Sequence, residues 1–199
     1  MNIPIKKFLR DHITQILSTF ESKLSAPRPQ TMPLDMHLKY YFNAHKSLGS
    51  HDRLIISETT YKLVRYKVYL DTISKKPLTW PGRIEALLSP DFENNLKNPS
   101  FKKNVRCSCP SELFNLLADA YGEGKAFEYC ENLLEKAPLT IRSNPLKISR
   151  DKLYELMKLV DRHKTVEKCE FSPYGIKFLS MRNVKTRIIK HLKIIAKFI

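Results

Sequence analysis

Glycine is scarce in this sequence, and its scarcity excludes one class of site at once. Five glycines occur in 199 residues, and no two form the cluster that lets a backbone close on a phosphate without a Cβ in the way. The nearest pair, in "YGEGKAF", lies between two helical patterns, so a helix-helix turn accounts for it. Long apolar runs are missing as well. Nothing approaches the ~20 residues a membrane helix requires, and "MNIPIKKFLRDHITQILSTF" breaks its hydrophobics with Lys, Arg and Asp, which predicts an amphipathic helix rather than a signal peptide. Of the four cysteines, Cys107 and Cys109 are two apart, but Cys130 and Cys169 do not supply the second pair that a closed zinc site needs. No obvious base accompanies Cys109 to generate a thiolate. The expectation is therefore no metal and no cofactor site in this chain, free thiols, and a cytoplasmic location. Internal repeats and low-complexity tracts are also lacking.

What is abundant is positive charge. Thirty-five Lys and Arg face twenty Asp and Glu, a net +15, which repels itself unless an anionic partner offsets it. Nucleic acid is the first partner this implies, an anionic membrane surface the second, and plain basic solubility a third. Aromatics interleave with the bases in "HLKYYFNAHK", "YKLVRYKVY" and "NPSFKKNVR". Lys and Arg attract phosphate, and exposed rings stack on unpaired bases. For Tyr41, Phe42 and Tyr61 a place in the core is the expectation. For Arg53, Arg65 and Lys67, phosphate contact and a solvated outer helix face both remain open.

Periodicity predicts an α+β chain. Ile5, Phe8, Leu9, Ile13, Ile16, Leu17, Phe20 and Leu24 mark a first helix, which "SAPRPQTMP" stops. A second runs through "PLDMHLKYYFNAHKSLG", with Asp35 able to cap it and Gly49 able to end it. A third spans "SHDRLIISETTYKLVRYKVYLDTI", with Leu54, Ile55, Tyr61, Val64, Val68 and Ile73 as its apolar set, and "TWPGRIEALLS" gives a short fourth. Residues 1–95 thus read as a helical bundle, and the Asn-, Ser- and Pro-rich stretch around 89–110 reads as a seam. Beyond it, "PSELFNLLADAYG" and "EGKAFEYCENLLEKA" are helical. "PLTIRSNPLKI" is extended, Ser149 caps "RDKLYELMKLV", and "VEKCEF" and "YGIKFL" form a hairpin around "SPYG". Residues 96–181 make a small α/β unit. Residues 182–199 carry bases opposite Ile188, Leu192, Ile195 and Ile199, with no acid, so membrane, phosphate or core packing all suit that tail.

Two stretches resemble one family. "PLDMHLKYYFNAHKSLGSHDRLIISETTYKLVRYKVYLD" is similar to the N-terminal helical region of the Sun (Fmu, RsmB-like) RNA cytosine-5 methyltransferases at Leu48, Gly49, Asp52, Arg53, Tyr61 and Arg65. "CPSELFNLLADAYGEGKAFEYCENLLEKAPLTIRSNPLKISRDKLYEL" resembles their stretch before the catalytic domain. The resemblance implies a NusB-like bundle followed by a ferredoxin-like unit whose first strand carries Arg142 and Asn144, with Lys147 close behind, toward RNA. Arg offers a planar fork to phosphate or a base edge, and Asn both donates and accepts; holding the strand in place is the alternative role.

The family's glycine-rich S-adenosylmethionine loop and its Pro-Cys and Thr-Cys motifs do not occur here, and "RCSCPSE" lies upstream of where they belong. The expectation is the RNA-binding N-terminal region of an rRNA or tRNA cytosine-5 methyltransferase, truncated before catalysis. In that reading S-adenosylmethionine belongs to the full-length family, and a separate chain is a candidate for supplying the catalytic domain. A NusB-like RNA or protein adaptor and the remnant of a disrupted gene are the alternatives.

Overall fold

The computed structural model describes residues 5–26, 32–135, 137–160 and 166–179, so the basic tail at 182–199 lies outside the described residues. The fold is α+β, with ten helices and one three-stranded antiparallel sheet among the described residues. The chain divides into two compact units, Met1–Glu135 and Lys136–Ile199. That division differs from the expected one at 95/96, and the packing of the helical unit gives the reason.

The first unit is helical. α1 (Lys7–Leu24), α2 (Leu34–Ala44), α3 (Ser50–Arg65), α4 (Lys67–Ile73) and α5 (Trp80–Leu88) are followed by the short α6 (Phe92–Leu96) and α7 (Lys103–Arg106), then α8 (Ser111–Tyr121) and α9 (Glu123–Leu134). α1 lies at the centre: Leu9, Ile13, Ile16 and Leu17 are buried against Leu38, Ile56, Leu63, Leu70, Trp80 and Ile84. Amphipathic helices gain most of their stability from this burial, at roughly 25 cal/mol per Å² of apolar surface. The expected seam packs on this core as far as Val105, while Cys107 and Cys109 at its end belong to a second small core. Phe92 is buried in the first core, Phe101 and Val105 pack against it, and the buried Tyr69 ring meets both phenylalanines edge-on at 5.5 and 6.0 Å. A segment anchored by its few aromatics cannot be a linker.

Several sequence expectations shift by a turn. α2 ends at Ala44 and not at Gly49, which instead serves as the N-cap residue of α3. Asp35 stands in the first turn of α2, favourable to its dipole, while Pro33 occupies the cap position. The expected third helix is two, because Tyr66 leaves helical geometry at φ −97°, ψ 18°. Its apolar set is also misplaced: Leu54, Tyr61 and Val64 are exposed, and the buried face is Ile56, Thr59, Thr60 and Leu63. Tyr61 is thus not a core residue, whereas Tyr41 and Phe42 do pack against the core. The Tyr41 hydroxyl donates to Gln15 Oε1 at 2.7 Å, and its ring stacks on His45 at 4.0 Å.

The second unit is built from β1 (Leu139–Arg142), α10 (Arg150–Val160), β2 (Val166–Lys168) and β3 (Gly175–Phe178). The sheet order is β1-β3-β2, with Ile141 opposite Ile176 and Val166 opposite Phe178. Strand alternation sends Leu139, Ile141, Val166, Ile176 and Phe178 to the face covered by Leu153 and Met157 of α10. Thr140, Arg142, Glu167 and Lys177 fall on the opposite, polar face, where Lys177 pairs with Glu167 at 3.1 Å. Strand, helix, strand, strand is the leading part of the β-α-β-β-α-β ferredoxin-like pattern.

Candidate nucleic-acid interface

The end of the sheet where β1 gives way to α10 gathers the residues with recognition chemistry. Two loops meet there, 143–149 after β1 and 169–174 between β2 and β3. Ser143 N donates to Tyr174 O at 2.9 Å, joining them at the strand ends. Arg150 Nη1 donates to Ser172 O at 2.9 Å and to Cys169 O at 3.4 Å, tying the start of α10 to the hairpin loop. Gly175 closes that loop because a Cβ there would sit 2.8 Å from Cys169 Sγ and 2.9 Å from Ser172 Oγ. Three backbone-directed bonds and one closely packed glycine hold the two loops as a single scaffold.

Arg142 projects from β1 onto this end. Its guanidinium lies 5.4 Å from the centre of the Tyr174 ring, a cation-π arrangement worth about 0.5–1 kcal/mol at an exposed site. No carboxylate among the described residues forms an ion pair with Arg142 or Lys147, and both are exposed. Phe171 stands 94% exposed in the hairpin loop, and Leu146 93% exposed in the facing one. A bare phenylalanine in the same loop as the ring that meets an arginine fork offers stacking and phosphate attraction on one scaffold.

Asn144 does something different. Its Oδ1 accepts from Leu146 N at 3.1 Å, and its backbone carbonyl accepts from Lys147 N and Ile148 N at 2.9 Å. This is an Asx-type turn that shapes the loop, and it sets Lys147 at the head of the approach to α10. The Arg-x-Asn spacing therefore joins one exposed cation to one loop-forming residue.

The basic residues singled out in the helical unit divide likewise. Arg53 Nε donates to Leu48 O at 2.8 Å, and its guanidinium lies 5.6 Å from the Phe42 ring, so it fastens the turn before α3. Lys67 pairs with Asp71 at 2.9 Å. Asp71 also accepts from the buried Arg83, whose guanidinium lies 4.5 Å from the Trp80 ring. Burial alone would raise the Asp71 pKa, but hydrogen bonds from Arg83 and Lys67 outweigh it and hold the carboxyl below its usual range. Of the three singled out, Arg53 and Lys67 are engaged within the helical unit and Arg65 is open to solvent.

Sequence reading passed over Phe171 and Tyr174, although both stand beside the "SPYG" turn that it did identify. It also left Cys130 alone. The fold buries Cys107, Cys109 and Cys130 together with Phe114 and Ala126. Burial, then the neighbouring Cys130, pushes Cys107 up to about 12; burial, then a hydrogen bond with Cys130, pushes Cys109 up to about 11. Such thiols are packing groups, not nucleophiles. Among the described residues no group of three His, Cys, Asp or Glu is arranged to hold a metal, and no helix is long and apolar enough to cross a membrane.

No curated protein matches the chain, and no solved structure matches it. A family model does, and it covers the two helices α8 and α9 together with the whole described sheet unit. Residues 109–185 are similar to the family described as Methyltr_RsmF/B-like, ferredoxin-like domain.

Proposed function

We propose that this chain is an RNA-engaging part of an RNA cytosine-5 methyltransferase system, with ribosomal or transfer RNA as its substrate class, and that it grips RNA through the loop end of its ferredoxin-like unit. The observation that carries this reading is the Arg142–Tyr174 contact, with the exposed Lys147 and the 94% exposed Phe171 carried by the same braced pair of loops. This arrangement lies inside the stretch that matches the methyltransferase-associated domain. The net charge of +15 supplies the long-range attraction.

The family's methyl donor, S-adenosylmethionine, does not fit the described residues. β1 passes into α10 through Ser143, Asn144 and Pro145 with no glycine, and Gly122, the glycine with a positive φ of 85°, stands between two helices. No methyl-transfer step is assigned to these residues.

Titration of the purified chain into a structured ribosomal RNA fragment across a salt series tests the proposal. Binding should weaken steeply as salt rises, in proportion to the number of phosphates neutralised. Binding that is absent, or indifferent to salt, would refute it.

A further inference from the structure

The α8–α9 hairpin carries a charge opposite to the chain around it. Residues 111–135 contain Glu112, Asp119, Glu123, Glu128, Glu131 and Glu135 against Lys125 alone, five net negative charges in a protein of +15. The two helices are joined by the single residue Gly122. Their inner sides, Phe114, Leu117, Ala118, Ala126, Phe127 and Cys130, pack into the small core with Cys107 and Cys109.

A second apolar stripe remains uncovered. Leu113 and Leu116 on α8 are 48% and 68% exposed, and Tyr129 and Leu133 on α9 are 56% and 60% exposed. Leu113, Leu116 and Tyr129 directly precede the inward-packed Phe114, Leu117 and Cys130, and Leu133 lies one turn beyond Tyr129. Each helix therefore turns its stripe about 100° from its inner side in the same sense. In an antiparallel hairpin that common offset brings both stripes to one face. Glu112 and Glu128 stand immediately before Leu113 and Tyr129, and Asp119 follows Leu116 by three residues, so acids border the apolar strip.

We infer that this face docks a partner protein through an amphipathic helix whose polar side is basic. The apolar strip along two helices suits a helix laid over it with its own apolar side down. The acidic border selects Lys and Arg on that helix. The same border turns away RNA phosphates, and it disfavours a second copy of this chain, since a two-fold pairing would set the acids against one another.

The test uses the full chain and a labelled synthetic 18-residue helix of leucine and lysine, with a leucine and glutamate helix of the same pattern as control. Anisotropy is read at about 0.15 M salt, where exposed charges more than ~8 Å apart are largely screened. The leucine-lysine helix should bind at least ten-fold tighter than its control. Leu116→Lys with Leu133→Lys should remove at least ten-fold of that affinity, and Leu116→Ala with Leu133→Ala should lower it less. The alanine pair should keep the parent thermal melt, because both side chains are already exposed. Equal affinity for the two helices would overturn the inference. So would binding that neither variant changes, or self-association of the chain that the same variants abolish.

Discussion

Arg53, Lys67 and Arg83 of the helical unit and Arg142 and Lys147 of the sheet unit are differently employed. In the helical unit Arg53 is committed to Leu48 O and the Phe42 ring, Lys67 to Asp71, and Arg83 to Asp71 and the Trp80 ring. Arg106 lies 4.9 Å from the Phe127 ring centre, and its Nε is buried without a hydrogen-bond partner among the described residues. In the sheet unit Arg142 stands exposed against the Tyr174 ring and Lys147 stands exposed in the loop after β1. A net charge counts all of them equally. Arg142 and Lys147, like the exposed Arg65 of the helical unit, are not committed in this way, whereas Arg150 and Lys177 of the sheet unit are.

This contrast breaks most sharply at Asp71. Replacing it with alanine leaves the 6% exposed Arg83 without its carboxylate. Removing one partner of a buried pair costs about 3–5 kcal/mol; the partial exposure of Asp71 favours the lower end. Urea unfolding of the full chain should register that loss, while RNA affinity under folding conditions stays at the parent value. A weakened RNA affinity in a fully folded Asp71→Ala protein would merge the two groups that the structure separates.

The converse substitution is Phe171→Ala. Loss of a stacked aromatic costs about 1–3 kcal/mol of single-strand binding, and a residue this exposed should change stability by less than about 0.5 kcal/mol. Competition between single-stranded and duplex RNA sharpens the point, because the variant should lose affinity mainly for unpaired segments. Equal loss for both forms would mean that Phe171 is not a stacking surface.

Arg142→Ala and Lys147→Ala should each reduce the slope of log affinity against log salt by roughly one phosphate contact. Arg53→Ala and Lys67→Ala should leave that slope alone and shift the urea midpoint instead. A slope that responds to the second pair and not to the first would reverse the comparison.

The smallest effect concerns acid. Burial lowers the pKa of His37 below 6.5; a hydrogen bond with Ile16 O opposes this, and the Lys23 charge adds to it. A depressed histidine favours the folded state while neutral, so stability is full above about pH 6.5 and declines as pH falls through the lower folded value. Urea midpoints across this range should fall modestly and return to a flat profile in His37→Gln. An unchanged slope in the variant would place the sensitivity elsewhere.

Much of this fold was legible because the sequence punctuates it. Pro110 and Gly122 bracket α8, Thr79 Oγ1 caps α5 through Gly82 N at 3.2 Å, and Ser149 Oγ accepts from Lys152 N at 3.3 Å at the start of α10. The face of α3 was not legible, because Thr59 and Thr60 take inner positions that hydrophobic spacing assigns to Leu54, Tyr61 and Val64. The packing of the 89–110 stretch was not legible because Phe92 and Phe101 are isolated apolar residues in a polar run, and only distant partners such as Tyr69 reveal their role. At the candidate interface Arg142 is singled out in the sequence by its resemblance to a known motif. Phe171 is not, since exposure in a hairpin loop has no periodic signature.

The most direct test is ultraviolet cross-linking of the full chain to RNA, with the modified peptides located by mass spectrometry. The account predicts cross-links on the peptides containing Phe171 and Tyr174 and on the Arg142 strand, and their loss in Phe171→Ala. Cross-links confined to α2, α3 and α4 of the helical unit would contradict it and would move the RNA-binding surface away from the sheet.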